Sequence, residues 1–577
     1  MKSSDYIVEF FANHGIRHFY GYQGTMIAHF VDSVCTNPSV TNHCCYNEQG
    51  AGFAAVGSAK ATGRTALAYS TSGPGAANLI SAIADAYYDS TPVVFISGQL
   101  NTYEYLGIEG IRQNGFQEMD VVAAVSAITK YAVKLERAED IRYVCEKAYY
   151  MTQEGRPGPV LIDLPMDMQR QDIEPDKLRG FEPGELNRPA YDDAADVSET
   201  IVSAIKKSQS PLLLLGNGIV KDSETHRKII EFAEQIKLPI ITSMLARDLL
   251  TEDHPLNLGH IGGGYGHRYA NILAYKKADL IVSLGCSMCK RQTAMNTEKF
   301  AENAAIIRVD IDPLELERKV HQNEQSFLCD CNEVIAALDV SLCPDYSEWL
   351  NKCRQIKEKL EAYDNSCPER DTNRYMTAIS ELIDENTAIC VDVGQHQVWA
   401  SQSFKLKDGQ DLLFSGGHGA MGFALPAAIG AHYGSGKKSV AICGDGAFQM
   451  NIQELQWVFR EQIPMTIFVM NNASLGLIRQ QQDDVFEGRY AGSVNNGGYT
   501  TPDFARVAKA YGISSAKADS PEAIRTALAG MDADKPRLIE VVLGDETRAV
   551  PKTYFGEEMY NQRPYISQSL MEEILNL

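Results

Sequence analysis

The 577-residue sequence reads as an α/β protein built from three doubly wound parallel-sheet domains. Three observations predict this. The chain is far longer than one hydrophobic core organises, which calls for roughly three or four domains at about 150 residues each. Short runs rich in Val, Ile and Leu alternate along it with segments of helical period, the pattern of parallel sheets covered by helices on both faces. Polar or charged stretches near residues 169–196 and 346–370 interrupt that alternation and divide it into three blocks.

In chain order, the opening residues carry Asp5 and Glu9 within the apolar pattern of Ile7, Val8, Phe10 and Phe11. That is the first helix of a domain, unlike a basic leader followed by an apolar run. The runs at 64–71 and 91–98 are buried-strand candidates of a first domain, residues 1–170. Pro- and Gly-containing residues after 169 form a linker. Runs at 211–216, 238–242, 279–285 and 306–312, separated by helical patterns, define a middle domain, residues 190–340. A charged helical pattern at 346–370 precedes the strand candidate at 388–393, which opens a third domain, 370–550, followed by a tail, 551–577. There is no short repeat of the solenoid kind.

Lys and Arg number 53 against 75 Asp and Glu, a formal charge of -22 that repels nucleic acid and anionic lipid over most of the surface. The charge reads as solubility, not as recognition. No run of 18 or more uncharged apolar residues occurs, so a spanning helix is not expected and the protein is read as cytoplasmic. Thirteen scattered cysteines, an odd number, point to reduced thiols. The Cys286/Cys289 and Cys329/Cys331 spacings raise zinc, but they are not a standard pair of CxxC motifs and read better as simple thiols.

The chemistry concentrates after residue 438. The run from Lys438 to Cys443 is a buried strand that breaks at Gly444-Asp445-Gly446, and residues 447–460 have helical spacing. This places a carboxylate on a glycine-permitted turn at the carboxyl end of a parallel strand, where open α/β sheets bind ligands. The next strand candidate, 464–470, ends at Asn471-Asn472, and the 24 residues after Gly446 suffice for one helix and a return strand. Asp445 and Asn472 are therefore expected at adjacent strand ends. A carboxylate, an amide oxygen and a nearby backbone carbonyl suit octahedral Mg²⁺ whose remaining ligands are phosphate oxygens.

A Gly-Asp-Gly followed after 24 residues by Asn-Asn resembles the thiamine-diphosphate-binding motif. The resemblance implies a metal held by Asp445, Asn472 and the Ser474 carbonyl, with Gly444, Gly446, Ala447, Gly476 and Leu477 lining the cofactor. Thiamine chemistry also needs a carboxylate beside the aminopyrimidine, because protonating its ring nitrogen favours the tautomer that takes a proton from the reacting carbon. The segment Tyr46-Asn47-Glu48-Gln49-Gly50-Ala51-Gly52 resembles the glutamate helix of that superfamily, which makes Glu48 the carboxylate.

Over nearly its whole length the chain resembles the acetolactate synthases. The motifs are Thr71 to Leu79, Asp85 to Pro92, Gly98-Gln99, Phe116-Gln117-Glu118 and Arg156 to Pro165, followed by Asp392-Val393-Gly394-Gln395-His396 and Gly416-Gly417-His418-Gly419-Ala420-Met421. The resemblance implies the thiamine-diphosphate enzyme fold, with pyrimidine, middle and diphosphate domains. Gly394, Gln395 and His396 would border the diphosphate, Gly419 and Met421 the aminopyrimidine, and Gly24 and Gln117 the wall contributed by the first domain. It also implies a homodimer or homotetramer with each site between two chains; the sequence leaves a regulatory subunit open.

Departures from the family pattern concern the acceptor and the flavin. Tyr22-Gln23-Gly24-Thr25 replaces Tyr-Pro-Gly-Gly, and Gln481 stands where the synthases carry a tryptophan against the second oxo acid. The loop 100–115 and the tail 550–556 are closer to related enzymes of surface-sugar pathways. FAD is expected along the middle domain from Gly216-Asn217-Gly218, His260, Asp310-Ile311-Asp312 and Cys329-Asp330-Cys331, although the family's Gly-Val-Arg-Phe-Asp-Asp-Arg is here Gly285 to Arg291, with an arginine and both acidic residues lost and the final arginine kept. Arg291 matches the arginine that meets the acceptor's carboxylate. The implied activity is decarboxylation of pyruvate or a related small-molecule 2-oxo acid and transfer of the two-carbon remainder to a second carbonyl, 2-acetolactate being the default product. Transfer to a keto-sugar or other ketone, and simple decarboxylation, are the alternatives. A non-catalytic binding subunit is disfavoured by the joint presence of Glu48, Asp445 and Asn472, and a dinucleotide oxidoreductase by the lack of a convincing GxGxxG unit.

Overall fold

Three parallel sheets of six strands each order the chain in a computed structural model that describes residues 1–108, 110–294, 300–554 and 556–577. The first comprises β1 (His18–Gly21), β2 (Thr41–Cys44), β3 (Ala66–Ser70), β4 (Val93–Gln99), β5 (Tyr131–Lys134) and β6 (Val160–Pro165), in the order β2-β1-β3-β4-β6-β5. The second contains β7 (Pro211–Leu215), β8 (Ile240–Thr242), β9 (Asn257–His260), β10 (Leu280–Leu284), β11 (Ala305–Asp310) and β12 (Glu324–Leu328), ordered β12-β11-β10-β7-β8-β9. The third contains β13 (Thr387–Val391), β14 (Asp411–Phe414), β15 (Lys438–Gly444), β16 (Met465–Asn471), β17 (Ser514–Ala518) and β18 (Arg537–Val542), ordered β14-β13-β15-β16-β18-β17. Neighbouring strands pair in parallel throughout, so each connection is a crossover. The expected fold class is the observed one.

Both faces of the first sheet are covered, as the apolar runs require. In β3, Leu67 and Tyr69 enter one core while Ala66 and Ala68 enter another, and in β4 Val94 and Ile96 are split in the same way from Val93 and Phe95. The second of these cores is shared with the third sheet, through Ala388 and Cys390 of β13 and Ile467 and Val469 of β16. Two buried helices, Glu48–Thr62 and Ala424–Ser435, run between the sheets. They are apolar nearly all round because each is enclosed on all sides. Gly57 and Gly430 set their approach: a Cβ at Gly57 would strike the Ala427 carbonyl, and one at Gly430 the Ala54 carbonyl.

The expected helix after the middle sheet is Ser347–Ser366, whose Trp349, Leu350, Cys353, Ile356 and Leu360 face inward at helical spacing. The chain then returns after the third sheet. Met559 and Ile574 of the tail bury in the core of the middle sheet, and Arg268 donates both to Asp364 and to the Gln562 carbonyl. Phe555 of the sugar-pathway-like tail segment and Glu109 of the long loop lie outside the described residues.

Candidate active site

In the third sheet the strand order reverses between β13 and β15, and the sequence-predicted residues gather at the carboxyl ends of β13, β15 and β16. Gly444 pairs with Met470, so Asp445 and Asn472 follow the ends of adjacent strands as their spacing implies. Ser474 N–H lies 3.1 Å from Asp445 Oδ2 and 3.3 Å from Asn472 Oδ1. The left-handed backbone of Ala473, φ 51°, makes this tight return possible. Asn472 turns its amide nitrogen to Gln395 Oε1 at 3.0 Å and Thr547 Oγ1 at 2.9 Å, which leaves its oxygen on the Asp445 side. Burial pushes the Asp445 carboxyl up to about 6, against hydrogen bonds from Gly446 N–H, Tyr499 OH and Ser474 N–H. A cation at this carboxylate would replace the solvation that burial removed.

The glycines of this motif act differently from the expectation. Gly444 has φ −82° and Asp445 starts the helix Asp445–Met450, so no left-handed turn is needed. What glycine supplies is space: a Cβ at Gly444 would lie 2.7 Å from the His396 ring, and one at Gly446 would lie 2.6 Å from Leu475 Cδ2 and 3.3 Å from Met421 Cε. Gly476 is pressed in the same way against Gln395 and Asn472. Gly394 also abuts the His396 ring, whose buried Nε2 has no partner among the described residues and which burial keeps neutral, its pKa lowered to about 3. Ala447 is buried beside Asp445, and Leu477 follows Gly476 on the helix Gly476–Phe486. The helix expected over 447–460 is also broken. It becomes Asp445–Met450, a 3₁₀ turn Ile452–Glu454 and Leu455–Arg460, because Asn451 and Glu454 are drawn into contacts with other segments.

The segment with Gly419 and Met421 is held from both sides. Asp392, fully buried after β13, accepts from Gly422 N–H and Ala424 N–H at 3.0 Å each. From the first domain, Asp89 accepts from Gly416 N–H at 2.9 Å and Gly417 N–H at 2.6 Å and pairs with Lys60, while Ser415 Oγ donates to Asp85. Gly419 has φ 69°, a conformation that glycine tolerates best.

Glu48 opens the Glu48–Thr62 helix directly after Asn47, whose side chain caps Gln49 N–H at 2.8 Å. The carboxylate is 7% exposed; Asn78 donates to Oε2 at 2.9 Å, while Oε1 faces Gly75, where a Cβ would come within 3.0 Å. Thr71 backs both Gly75 and Gly24, and the Gln117 carbonyl, on a left-handed residue, closes over Gly73. Buried Thr71 Oγ1 and Ser72 Oγ have no partners among the described residues. The structure thus gathers Gly24, Glu48 and Gln117 at the first sheet and the metal and diphosphate candidates at the third. Among the described residues no hydrogen bond or ion pair joins Glu48 to Asp445, Asn472 or Ser474.

Two outer candidates are placed as well. Arg291, on the short helix Lys290–Thr293, donates to the Gly416 carbonyl at 3.1 Å and reaches Gln397 Oε1 at 3.4 Å. It therefore borders the segment leading to Gly419. Gln481 is exposed on its helix, while its neighbours are buried: Gln480 binds the Ala549 backbone and Gln482 the Ala491 carbonyl. Residue-by-residue reading of the sequence missed Asp392, Asp89 and Lys60 as supports. Asp392 and Asp89 stood inside quoted motifs, but nothing local said what their carboxylates would hold.

Family models cover most of the chain. Residues 1–124 match the model of the thiamine pyrophosphate enzyme N-terminal TPP binding domain, 198–338 the central domain and 392–541 the C-terminal TPP binding domain. The chain is 33% identical to acetolactate synthase 1, chloroplastic, of Zea mays over 95% of its own length and 86% of that protein's. It is 33% identical to the acetolactate synthase large subunit of Corynebacterium glutamicum, covering 93% and 86%, and 32% identical to that of Lactococcus lactis, covering 93% and 92%. The chain belongs to the acetolactate synthase family of thiamine-pyrophosphate-dependent enzymes.

Proposed function

We propose that this enzyme removes CO₂ from pyruvate or a related 2-oxo acid and joins the two-carbon remainder to a second carbonyl compound, with 2-acetolactate as the default product. The observation that carries the reading is the shared Ser474 N–H between Asp445 and Asn472 at the carboxyl ends of β15 and β16. Hard oxygen donors, tight glycines and the buried atoms Ser474 Oγ and His396 Nε2, unpartnered among the described residues, fit a magnesium diphosphate. In this reading Asp445, Asn472 and the Ser474 carbonyl hold Mg²⁺. Gly394, Gln395, His396, Gly444, Gly446, Ala447, Gly476 and Leu477 enclose the diphosphate, while Gly24, Gly419 and Met421 flank the aminopyrimidine.

Thiamine diphosphate, when bound, supplies a carbon that accepts the electron pair released as CO₂ leaves. The chain's part is to bind, orient and move protons. Glu48 Oε2 is occupied by Asn78, so Oε1 is the atom that holds a proton against the aminopyrimidine ring nitrogen. Arg291 offers a cation to the acceptor's carboxylate, and Gln117 and Gln481 line the acceptor's path. The family resemblance supports a site between two chains, Glu48 from one and Asp445 from the other, in a homodimer or homotetramer. The domains are taken as 1–170, 190–340 and 370–550 with a tail 551–577, and the compartment as cytoplasmic.

FAD belongs to the same proposal. Among the described residues, buried His260 Nδ1 and Gln292 Oε1 beside the middle sheet have no partners, and a flavin nucleotide fits as their partner. Flavin absorbance of the purified protein tests this. One observation favours a second acceptor class: Gln481 and Gln23 are exposed polar groups, suited to a keto-sugar or other polar ketone. Equilibrium dialysis tests the main reading: thiamine diphosphate should be retained with Mg²⁺ and lost with chelator, and retention that ignores the metal contradicts it.

A further inference from the structure

We propose that Glu454 is a positioning residue for Glu48, its carboxylate holding the backbone turn from which the glutamate's helix starts. This rests on the reading of Glu48 as the proton-carrying group. Glu454 ends the 3₁₀ turn Ile452–Glu454, which follows the helix Asp445–Met450 and its break at Asn451, and is fully buried. Both of its oxygens lie 3.1 Å from Tyr46 N–H, two residues before Glu48. A Cβ at Gly50 would lie 2.7 Å from Glu454 Oε1, so the first turn of the glutamate's helix is shaped to admit this side chain. The Tyr46 N–H, just before the helix's N-cap Asn47, is a backbone donor whose acceptor is this carboxylate.

The neighbours of Glu454 hold the same turn. Asn451 Nδ2 donates to Gln49 Oε1 at 3.1 Å and to the Gly422 carbonyl at 2.8 Å, which ties the Met421 segment to the residue after Glu48. Arg460 donates to the Cys44 carbonyl at 2.6 Å and to Tyr46 OH at 3.1 Å. Residues 44–49 are thus gripped by three side chains from the segment that follows Asp445. Burial pushes the Glu454 carboxyl up to about 7, so a neutral isostere keeps the acceptor that Tyr46 N–H uses. Mispositioning a proton-transfer group by about an ångström costs on the order of a hundredfold in rate without touching the group itself.

Three variants test this: Glu454→Ala, Glu454→Gln and, as reference, Glu48→Gln. Hydrogen–deuterium exchange of the cofactor-free protein is followed in peptides covering 44–52. Glu454→Ala should raise exchange there about tenfold or more, and Glu454→Gln should keep it within about threefold of wild type. In the loaded enzyme Glu454→Ala should lower kcat about ten- to a hundredfold with half-saturation by thiamine diphosphate changed less than about threefold, and Glu454→Gln should restore most of kcat. Unchanged exchange in Glu454→Ala, or a Glu454→Gln as slow as Glu454→Ala, overturns the proposal. Wild-type activity in Glu48→Gln with the exchange result intact would instead remove the reading of Glu48 and leave the grip of Glu454 on residues 44–49 standing.

Discussion

Asp445 and Asn472 converge on one backbone donor, the Ser474 N–H, at 3.1 and 3.3 Å. One N–H cannot fully satisfy a carboxylate oxygen and an amide oxygen, so the pair retains acceptor capacity directed at a common point. Asp445→Ala or Asn472→Ala should therefore weaken Mg²⁺ and thiamine diphosphate together, by about tenfold or more in half-saturation, since a polyanion without its metal faces an acidic protein. Cofactor titrations at fixed and at varied Mg²⁺ measure this. Loss of one ligand's affinity without the other's would contradict the shared site.

Gly75 makes a sharper test of the geometry around Glu48. A Cβ there would lie 3.0 Å from Glu48 Oε1 and 2.9 Å from Thr71 Cγ2, while the helix backbone at Pro74–Tyr88 accepts alanine readily. Gly75→Ala should leave thermal stability close to wild type and lower kcat about tenfold or more by displacing the proton-carrying oxygen. Equal turnover in the two proteins would place the reacting face of Glu48 elsewhere.

Asp163 predicts a pH dependence of stability away from the cofactor. Its carboxyl accepts from Ser97 Oγ at 2.7 Å and Gln99 Nε2 at 3.0 Å, and burial raises it from 3.8 to about 7. Between those values the folded state holds the proton more tightly than the unfolded state, so this group's contribution is full below about 4 and is lost as pH rises through about 7. An asparagine side chain at this position would not titrate. The Tm of Asp163→Asn minus that of wild type should therefore move in the variant's favour from pH 4 to 7 and level off above, as calorimetry at several pH values would record. A difference independent of pH would mean that Asp163 ionises normally.

Many of the central strands were legible because buried parallel strands leave apolar runs, as in Pro211–Leu215, whereas the polar edge strands Thr41–Cys44, Glu324–Leu328 and Ser514–Ala518 carry no such run. The meeting of Asp445 with Asn472 was legible too, since a strand, a crossover and a return strand leave little freedom in register. The break at Asn451 was not. Residues 447–460 keep a helical period, and only contacts with Gly422 and Gln49, distant in the chain, pull Asn451 out of it. Gly444 and Gly446 likewise looked like turn glycines, whereas the missing atoms make room for His396, Leu475 and Met421. Asp89 and Lys60 were beyond reach for the same reason, because besides each other they bind the Gly416 segment and the end of β14, more than three hundred residues away.

Gln481 is exposed between buried Gln480 and Gln482, and on the proposed function it faces the acceptor. Gln481→Trp should shift preference toward 2-oxobutyrate and away from polar ketones by about ten- to two-hundredfold, the range that one added apolar contact commands. Competition assays with paired acceptors measure the ratio in wild type and variant. A wild type that already favours 2-oxobutyrate would remove the support for a keto-sugar acceptor.

Isotopically labelled pyruvate, incubated with the protein, thiamine diphosphate and Mg²⁺ and followed by mass spectrometry, tests the central claim most directly. The account predicts labelled CO₂ together with a carboligation product such as 2-acetolactate. It also predicts that Glu48→Gln, which retains the cofactor, forms both about two orders of magnitude more slowly. Free acetaldehyde as the sole organic product, no consumption of any 2-oxo acid, or a Glu48→Gln variant as fast as wild type would contradict it.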